Sequence, residues 1–317
     1  MVEILYHSKR GKIKMNLKEY AKIGLNHHLL YSDVASIPSE HERTLKRVLD
    51  DKRLEILDLW IAEENPYRAN EIKAIKDSGK EIYYNVGTRK GKPSAHPASL
   101  DPEKKKYSIV FYKSELDRAI ECGATKVITN SGPNNSENRD AAKDALIEFY
   151  FEMCKYVPNM LVMIEPTDWD FDKKKLIGSS AEAVEICKKV KQAGCDNIAS
   201  MVDMCHVPMM YETLEQAMKN TGNWLGHIHL GNCIIKDKNN SLFGDKHPAL
   251  CILGGEYGIG DMAEVFKTGL AMEYFSKRKQ GSASIEMRSL KGVEPEKCLD
   301  IYYDYVLKAW DLANKGV

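Results

Sequence analysis

The sequence predicts an α/β protein, a (β/α)8 TIM barrel formed by one domain over residues 1–317. Three observations carry that prediction. Eight short apolar or β-branched runs recur along the chain. Longer amphipathic stretches separate them, so the order reads strand, helix, strand, helix. A chain of 317 residues is long for an ordinary domain but fits a barrel, typically about 250 residues with room for insertions.

The first four strand runs are IGLNHHLLY (23–31), LEILDLWIA (54–62), EIYYNVGT (81–88) and TKVITNSG (125–132). The last four are MLVMIEPT (160–167), NIASMVDM (197–204), WLGHIHLG (224–231) and SASIEMRS (282–289). Between them the apolar spacing becomes helical. In SSAEAVEICKKVKQAG, Ala183, Cys187 and Val190 share a face, and Ser179 with Glu182 forms a capping-box pair. Residues 1–22 precede the first strand and read as an N-terminal cap. Two connections, 89–108 and 232–261, are too long for plain turns. Long loops in compact domains are usually functional, and loops that follow barrel strands build the active site.

Bulk composition excludes several classes. Lys+Arg and Asp+Glu are both 46, so the formal charge is zero; nucleic acid is not an expected partner, because no basic footprint is present. The short basic runs at 103–107 and 172–175 read as solvated faces. With 43% apolar residues the chain can build a large core. The eight cysteines contain no C-x-x-C pair and read as free thiols of a reducing compartment. No stretch of 18 apolar residues and no signal-peptide pattern is seen, so the expectation is a cytoplasmic protein without a membrane partner.

The chemistry concentrates where the last four strands end. The fifth ends in Glu165, the sixth in Asp203, the seventh in His229 and the eighth in Glu286. One acid at a strand end is more often a cap, and one histidine a satisfied core residue. Four on successive strands of a closed barrel converge on one point. Three carboxylates that close cannot all stay ionised unless something positive joins them. A divalent cation resolves the conflict, and this donor set suits Mn²⁺ first, with Mg²⁺, Co²⁺ or Zn²⁺ as alternatives. His206, just past the sixth strand, is the functional neighbour of Asp203. His227 lies one layer deeper and reads as a supporting residue. One of His27 and His28 should face the mouth.

These residues resemble the xylose isomerase-like barrel superfamily, which includes D-tagatose 3-epimerase, hydroxypyruvate isomerase, inosose dehydratase and endonuclease IV. IEP, DMCH, HIHLG, GEYGIGD and IEMR stand where that family has its metal glutamate, Asp-x-x-His, His-x-His, glycine-rich turn and final glutamate. The resemblance implies that Glu165, Asp203, His229 and Glu286 bind the metal, that Glu165 and Glu286 are the proton-transfer pair, and that His206 contacts substrate. GGEYGIGD is not a dinucleotide loop, since its glycine spacing is wrong and it sits late in a connection.

Departures from the family refine the expectation. Its ketose epimerases carry an arginine six residues after the seventh-strand histidine; here that position is Ile235. GDKHP, with Asp245 and His247, resembles the Asp-x-His of the endonuclease, but Asn85 and Asn130 stand where that enzyme has histidines. The resulting reading is a metal-dependent lyase similar to the catalytic subunit of bacterial C-glycoside deglycosidases, which eliminates the aglycone from a 3-keto C-glucoside. A sugar isomerase or epimerase of the D-tagatose 3-epimerase type is the alternative, and a metal hydrolase a weaker one. The substrate is expected to be a sugar or glycoside held by Asn85, Asn130, Arg288 and His247. A small β-rich partner subunit and an oligomeric state are further expectations.

Overall fold

A computed structural model of the chain describes residues 15–87, 94–134 and 137–316. Each of the eight apolar runs forms a strand: β1 (Ala21–Asn26), β2 (Ile56–Leu59), β3 (Glu81–Asn85), β4 (Lys126–Thr129), β5 (Leu161–Ile164), β6 (Ile198–Asp203), β7 (Leu225–Leu230) and β8 (Gly281–Ile285). Neighbours pair in parallel in chain order, and β8 closes back on β1 with Ser284 opposite Gly24. That closure explains the glycine. A Cβ on Gly24 would lie 2.5 Å from Ser284 Oγ and 2.7 Å from Ile56 Cβ.

The helices are α1 (Leu17–Tyr20), α2 (His27–Leu30), α3 (Pro38–Asp50), α4 (Arg68–Ser78), α5 (Pro102–Glu121), α6 (Arg139–Tyr156), α7 (Ser180–Gln192), α8 (Leu214–Thr221), α9 (Ile259–Ala271) and α10 (Pro295–Ala313). Several boundaries correct the sequence reading. The first strand begins at Ala21, inside the expected cap, and stops at Asn26. There the Asn26 side chain accepts from Leu29 N–H and starts the short turn α2. Of that cap, residues 1–14 lie outside the described residues. The 89–108 connection is shorter than expected, because Asp101 caps α5 by accepting from Glu103 and Lys104 N–H, which draws the 103–107 lysines into a helix. Ser179 caps α7 as expected, but Glu182 reaches the Gly178 N–H and pairs with Arg139 rather than completing the capping box.

Two cores hold the barrel. Ile56, Tyr83, Ile128, Met163, Ala199 and Met201 fill its interior, while a larger shell, with Phe149, Tyr150, Phe266 and Trp310 fully buried, packs strands against helices. The period of two along a strand then sets the site. Two residues beyond Tyr83, Ile128, Met163 and Met201 come Asn85, Asn130, Glu165 and Asp203, placed at the C-terminal mouth. Among the described residues no helix is long and apolar enough to cross a membrane. All eight cysteines are free thiols, seven of them buried.

Candidate metal centre

The four strand-end residues meet. Glu165, Asp203, His229 and Glu286 each offer one donor atom, and all four atoms lie within 4.8 Å of one another. His229 Nδ1 is 2.6 Å from Glu286 Oε2 and 3.1 Å from Glu165 Oε1. Asp203 is fully buried, with Oδ1 accepting from Cys205 N–H at 2.8 Å. Glu286 is held by Asn26, whose Nδ2 donates to Oε1 at 2.7 Å.

This arrangement is incomplete as protein alone. Asp203 Oδ2 and Glu286 Oε2 are buried and make no well-formed hydrogen bond, being approached by imidazole nitrogens, His206 Nε2 at 3.1 Å and His229 Nδ1 at 2.6 Å, and a buried carboxylate that is not fully compensated costs several kcal/mol. Three acids and one imidazole facing inward fit a divalent cation through hard oxygen donors and one nitrogen. Without an ion the charges distort one another. Burial disfavours charge at His229, but Glu286, with Asp58 and Glu165, outweighs it and holds the imidazole well above its ordinary pKa. Burial and the neighbouring Glu286 push Asp203 upward despite the nearby histidines.

Support comes from β2, on residues the sequence reading missed. Asp58 Oδ2 lies 3.1 Å from His229 Nε2 and 3.3 Å from His227 Nε2. A carboxylate at Nε2 makes that nitrogen the N–H, so the His229 Nδ1 lone pair is free to face the acids. His227 is the supporting residue expected, with Nδ1 2.8 Å from Ser282 Oγ; burial lowers its pKa to about 4, so it stays neutral. Burial alone would raise Asp58, but the two histidines hold it well below the usual carboxylate range. Asp58 stands in the apolar run EILDLW just as Asp203 stands in its own; that signal was readable. Asn26 gave none.

A second set of donors adjoins the first. His206 Nδ1 faces the Pro166 carbonyl at 3.2 Å, which turns Nε2 toward Asp203 Oδ2 (3.1 Å) and Asp245 Oδ1 (3.3 Å). Asp245 Oδ1 also lies 2.6 Å from His247 Nε2, and His247 Nδ1 is 3.6 Å from Glu286 Oε2. Burial works against a charged His206, but Asp203 and Asp245 prevail and keep its pKa high. Asp203, His206 and His247 also satisfy the spacing of a metal-binding triad.

The remaining expectations divide. Arg288 leaves β8 beside Glu286, yet its Nε donates to the Lys246 carbonyl at 2.8 Å and its N–H to the His247 carbonyl at 2.8 Å. It fastens the loop bearing His247, which is held at φ +50. Asn130 Oδ1 accepts from Gly132 N–H at 3.0 Å and so caps the turn after β4. Asn85 ends β3, half-buried at the mouth. Of the two histidines after β1, His27 turns away to Thr44 of α3 and His28 stacks on Trp60 at 4.6 Å. The residue of that strand that reaches the acids is Asn26.

The family described as xylose isomerase-like TIM barrel matches residues 32–297. The chain belongs to that family. Solved structures of the same shape include D-psicose 3-epimerase from Clostridium cellulolyticum H10, bound to D-tagatose (TM-score 0.60, 16% identity, covering 93% of this chain and 96% of that one). Another is 3-keto-D-glucoside 4-epimerase from E. coli (0.64, 13%, 90% and 98%). A third is an AP endonuclease, family 2, from Brucella melitensis (0.64, 14%, 90% and 99%). At these identities the likeness is one of fold. Among curated proteins none matches this member of the xylose isomerase-like family.

Proposed function

We propose that this chain is a divalent-metal-dependent enzyme that removes a proton beside the carbonyl of a keto sugar. The observation that carries the reading is the convergence of Glu165, Asp203, His229 and Glu286, with two buried carboxylate oxygens whose close neighbours are imidazole nitrogens. A divalent ion held there would supply positive charge to the oxygen that becomes negative as the proton leaves. Glu165 comes from β5 and Glu286 from β8, so the two carboxylates can serve different faces of a bound sugar, one taking the proton and the other returning it. Glu165 is the more open of the pair, its side chain 19% exposed against 8%. His206, whose Nδ1 faces Pro166, would hold or protonate a substrate oxygen.

Within this class we put first the elimination that cleaves a 3-keto C-glucoside. Loss of the proton between C1 and the carbonyl gives an enediolate. Its electron pair then forms a double bond to C1, and the C1–aglycone bond breaks as the aglycone carbon takes up a proton. The supporting observation is Ile235. It packs with Cys205, Met209, Cys233 and Phe171 in an apolar cluster, so this position grips no ketose end. The long β7–α9 connection is where an aglycone or a small partner subunit would be received. Epimerisation is the second reading, favoured by the shape shared with a 3-keto-D-glucoside 4-epimerase. Asn85 and Asn130 in place of histidines, with zero formal charge, weigh against a nuclease.

The test is incubation of Mn²⁺-loaded protein in D₂O with a 3-keto C-glucoside and, separately, with free ketoses, followed by NMR. Release of aglycone that EDTA abolishes is the expected result. Deuterium entry into a substrate without cleavage selects the epimerase. No exchange into any substrate rejects carbon-acid chemistry altogether.

A further inference from the structure

Beside the mouth, outside the centre described above, three imidazoles meet in the wall between β1 and α3. His27 is fully buried and His41 is 3% exposed. His27 and His41 stand edge to face with ring centroids 4.9 Å apart, and the indole of Trp60 covers His28 and His41. One nitrogen from each of His27, His28 and His41 lies within 4.8 Å of the others.

The hydrogen bonds fix two of the tautomers. Thr44 Oγ1 donates its proton to the Glu40 carbonyl at 2.7 Å, so it accepts from His27 Nε2 at 2.9 Å. His27 Nε2 therefore carries the hydrogen and Nδ1 the lone pair. Glu71 Oε1 lies 2.8 Å from His41 Nδ1, while Asn65 Nδ2 donates to Oε2 at 2.8 Å. A buried carboxylate accepting at Nδ1 leaves the His41 lone pair on Nε2. Both lone-pair atoms, His27 Nδ1 and His41 Nε2, are buried without a hydrogen-bond partner. Polar atoms in a protein interior are nearly always satisfied, so two buried nitrogens without a partner, on rings that meet edge to face, call for something electron-poor beside them.

We propose that His27, His28 and His41 form a second metal site, which takes a borderline divalent ion of the zinc class. Neutral imidazoles favour such an ion over Mg²⁺ or Ca²⁺. Glu71 on His41 is the carboxylate that orients a ligand histidine and offsets the charge of the ion. Zinc binds imidazole nitrogen at about 2.0–2.1 Å, so ligands of one ion lie at most about 4.2 Å apart, and small side-chain rotations close the difference. The fourth position is left to water. The site would clip the end of β1 to α3, one residue from Asn26, which holds Glu286.

The test strips the untagged full-length protein with chelator and titrates it with Co²⁺, whose visible spectrum reports coordination, and then with Zn²⁺ counted by elemental analysis. Wild type and Glu286→Gln should both show the strong absorption of four-coordinate, nitrogen-rich cobalt. His41→Asn should lose it and bind one Zn²⁺ fewer. Glu71→Gln, which keeps all three imidazoles, should weaken this site by about 10–100-fold and serves as the deciding variant if His41→Asn does not fold. Zinc counts that match between wild type and His41→Asn overturn the proposal. So does an absorption that disappears with Glu286→Gln, or a Glu71→Gln affinity equal to wild type.

Discussion

Asp58 Oδ2 and His229 Nε2 face each other 3.1 Å apart at the mouth of the barrel, and that one hydrogen bond decides which nitrogen of His229 looks at the acids. Asp58→Asn should therefore leave the barrel folded but weaken metal binding about 10–100-fold, the usual loss when a ligand histidine loses its carboxylate. Competition against a coloured chelator measures it. An affinity within twofold of wild type would show that the barrel wall alone orients the ring.

Glu165 and Glu286 carry the proposed proton transfers, and each is a candidate ligand too. Glu165→Gln and Glu286→Gln should each lower exchange of the substrate C–H by about 10²–10⁴-fold, the range for removing a general acid or base. Measured at saturating Mn²⁺, the loss should fall in kcat rather than KM. Wild-type exchange rates in either variant would remove that glutamate from the mechanism.

Much of this was legible because a barrel strand repeats every two residues, so a residue at a strand's end announces its own direction. Glu165, Asp203, His229 and Glu286 could be placed from spacing alone. Asp58 follows the same rule on β2, across the barrel from the strands whose ends carry the acids. Asn26 and the partners of Arg288 were not legible, since they depend on how strands of distant sequence pack and on the path of the 232–258 connection. The direction of the histidine pair after β1 depends on a similar local turn. Asn26 caps a helical turn there, which swings His27 off the strand's alternation and into the wall.

Arg288 fixes the carbonyl of Lys246 at 2.8 Å, and its role separates into two measurable parts. Arg288→Lys removes the Nε bond while keeping a positive charge near the rim. If the residue chiefly positions His247, kcat should drop about tenfold with KM little changed, and Arg288→Ala should do no worse. A KM effect that Lys rescues and Ala does not would instead place the guanidinium on the substrate. The energy at stake is that of a single hydrogen bond, about 0.5–1.5 kcal/mol, so the fold itself should survive both changes.

The centre should also make stability depend on pH in a way that an ion reverses. In the metal-free protein the His229 pKa is raised from its ordinary 6.5. Its contribution is therefore complete below pH 6.5 and is lost as pH rises through the folded value. Glu286 moves the other way: burial would raise it, yet His229 and His247 hold it down, from 4.5 to about 2. Its contribution is present above pH 4.5 and lost as pH falls toward 2. The metal-free protein should then be most stable between these limits and weaken on the alkaline side. A divalent ion replaces the proton on His229 Nδ1, so it competes poorly in acid and well in base. The rise in Tm produced by Mn²⁺ should grow steadily from about pH 6 to about pH 8.5, as His229 and the raised carboxyl of Asp203 give up their protons. Thermal scans with and without Mn²⁺ across that range measure it directly. A gap that stays flat would mean that no proton leaves on binding, and His229 would then not be a ligand.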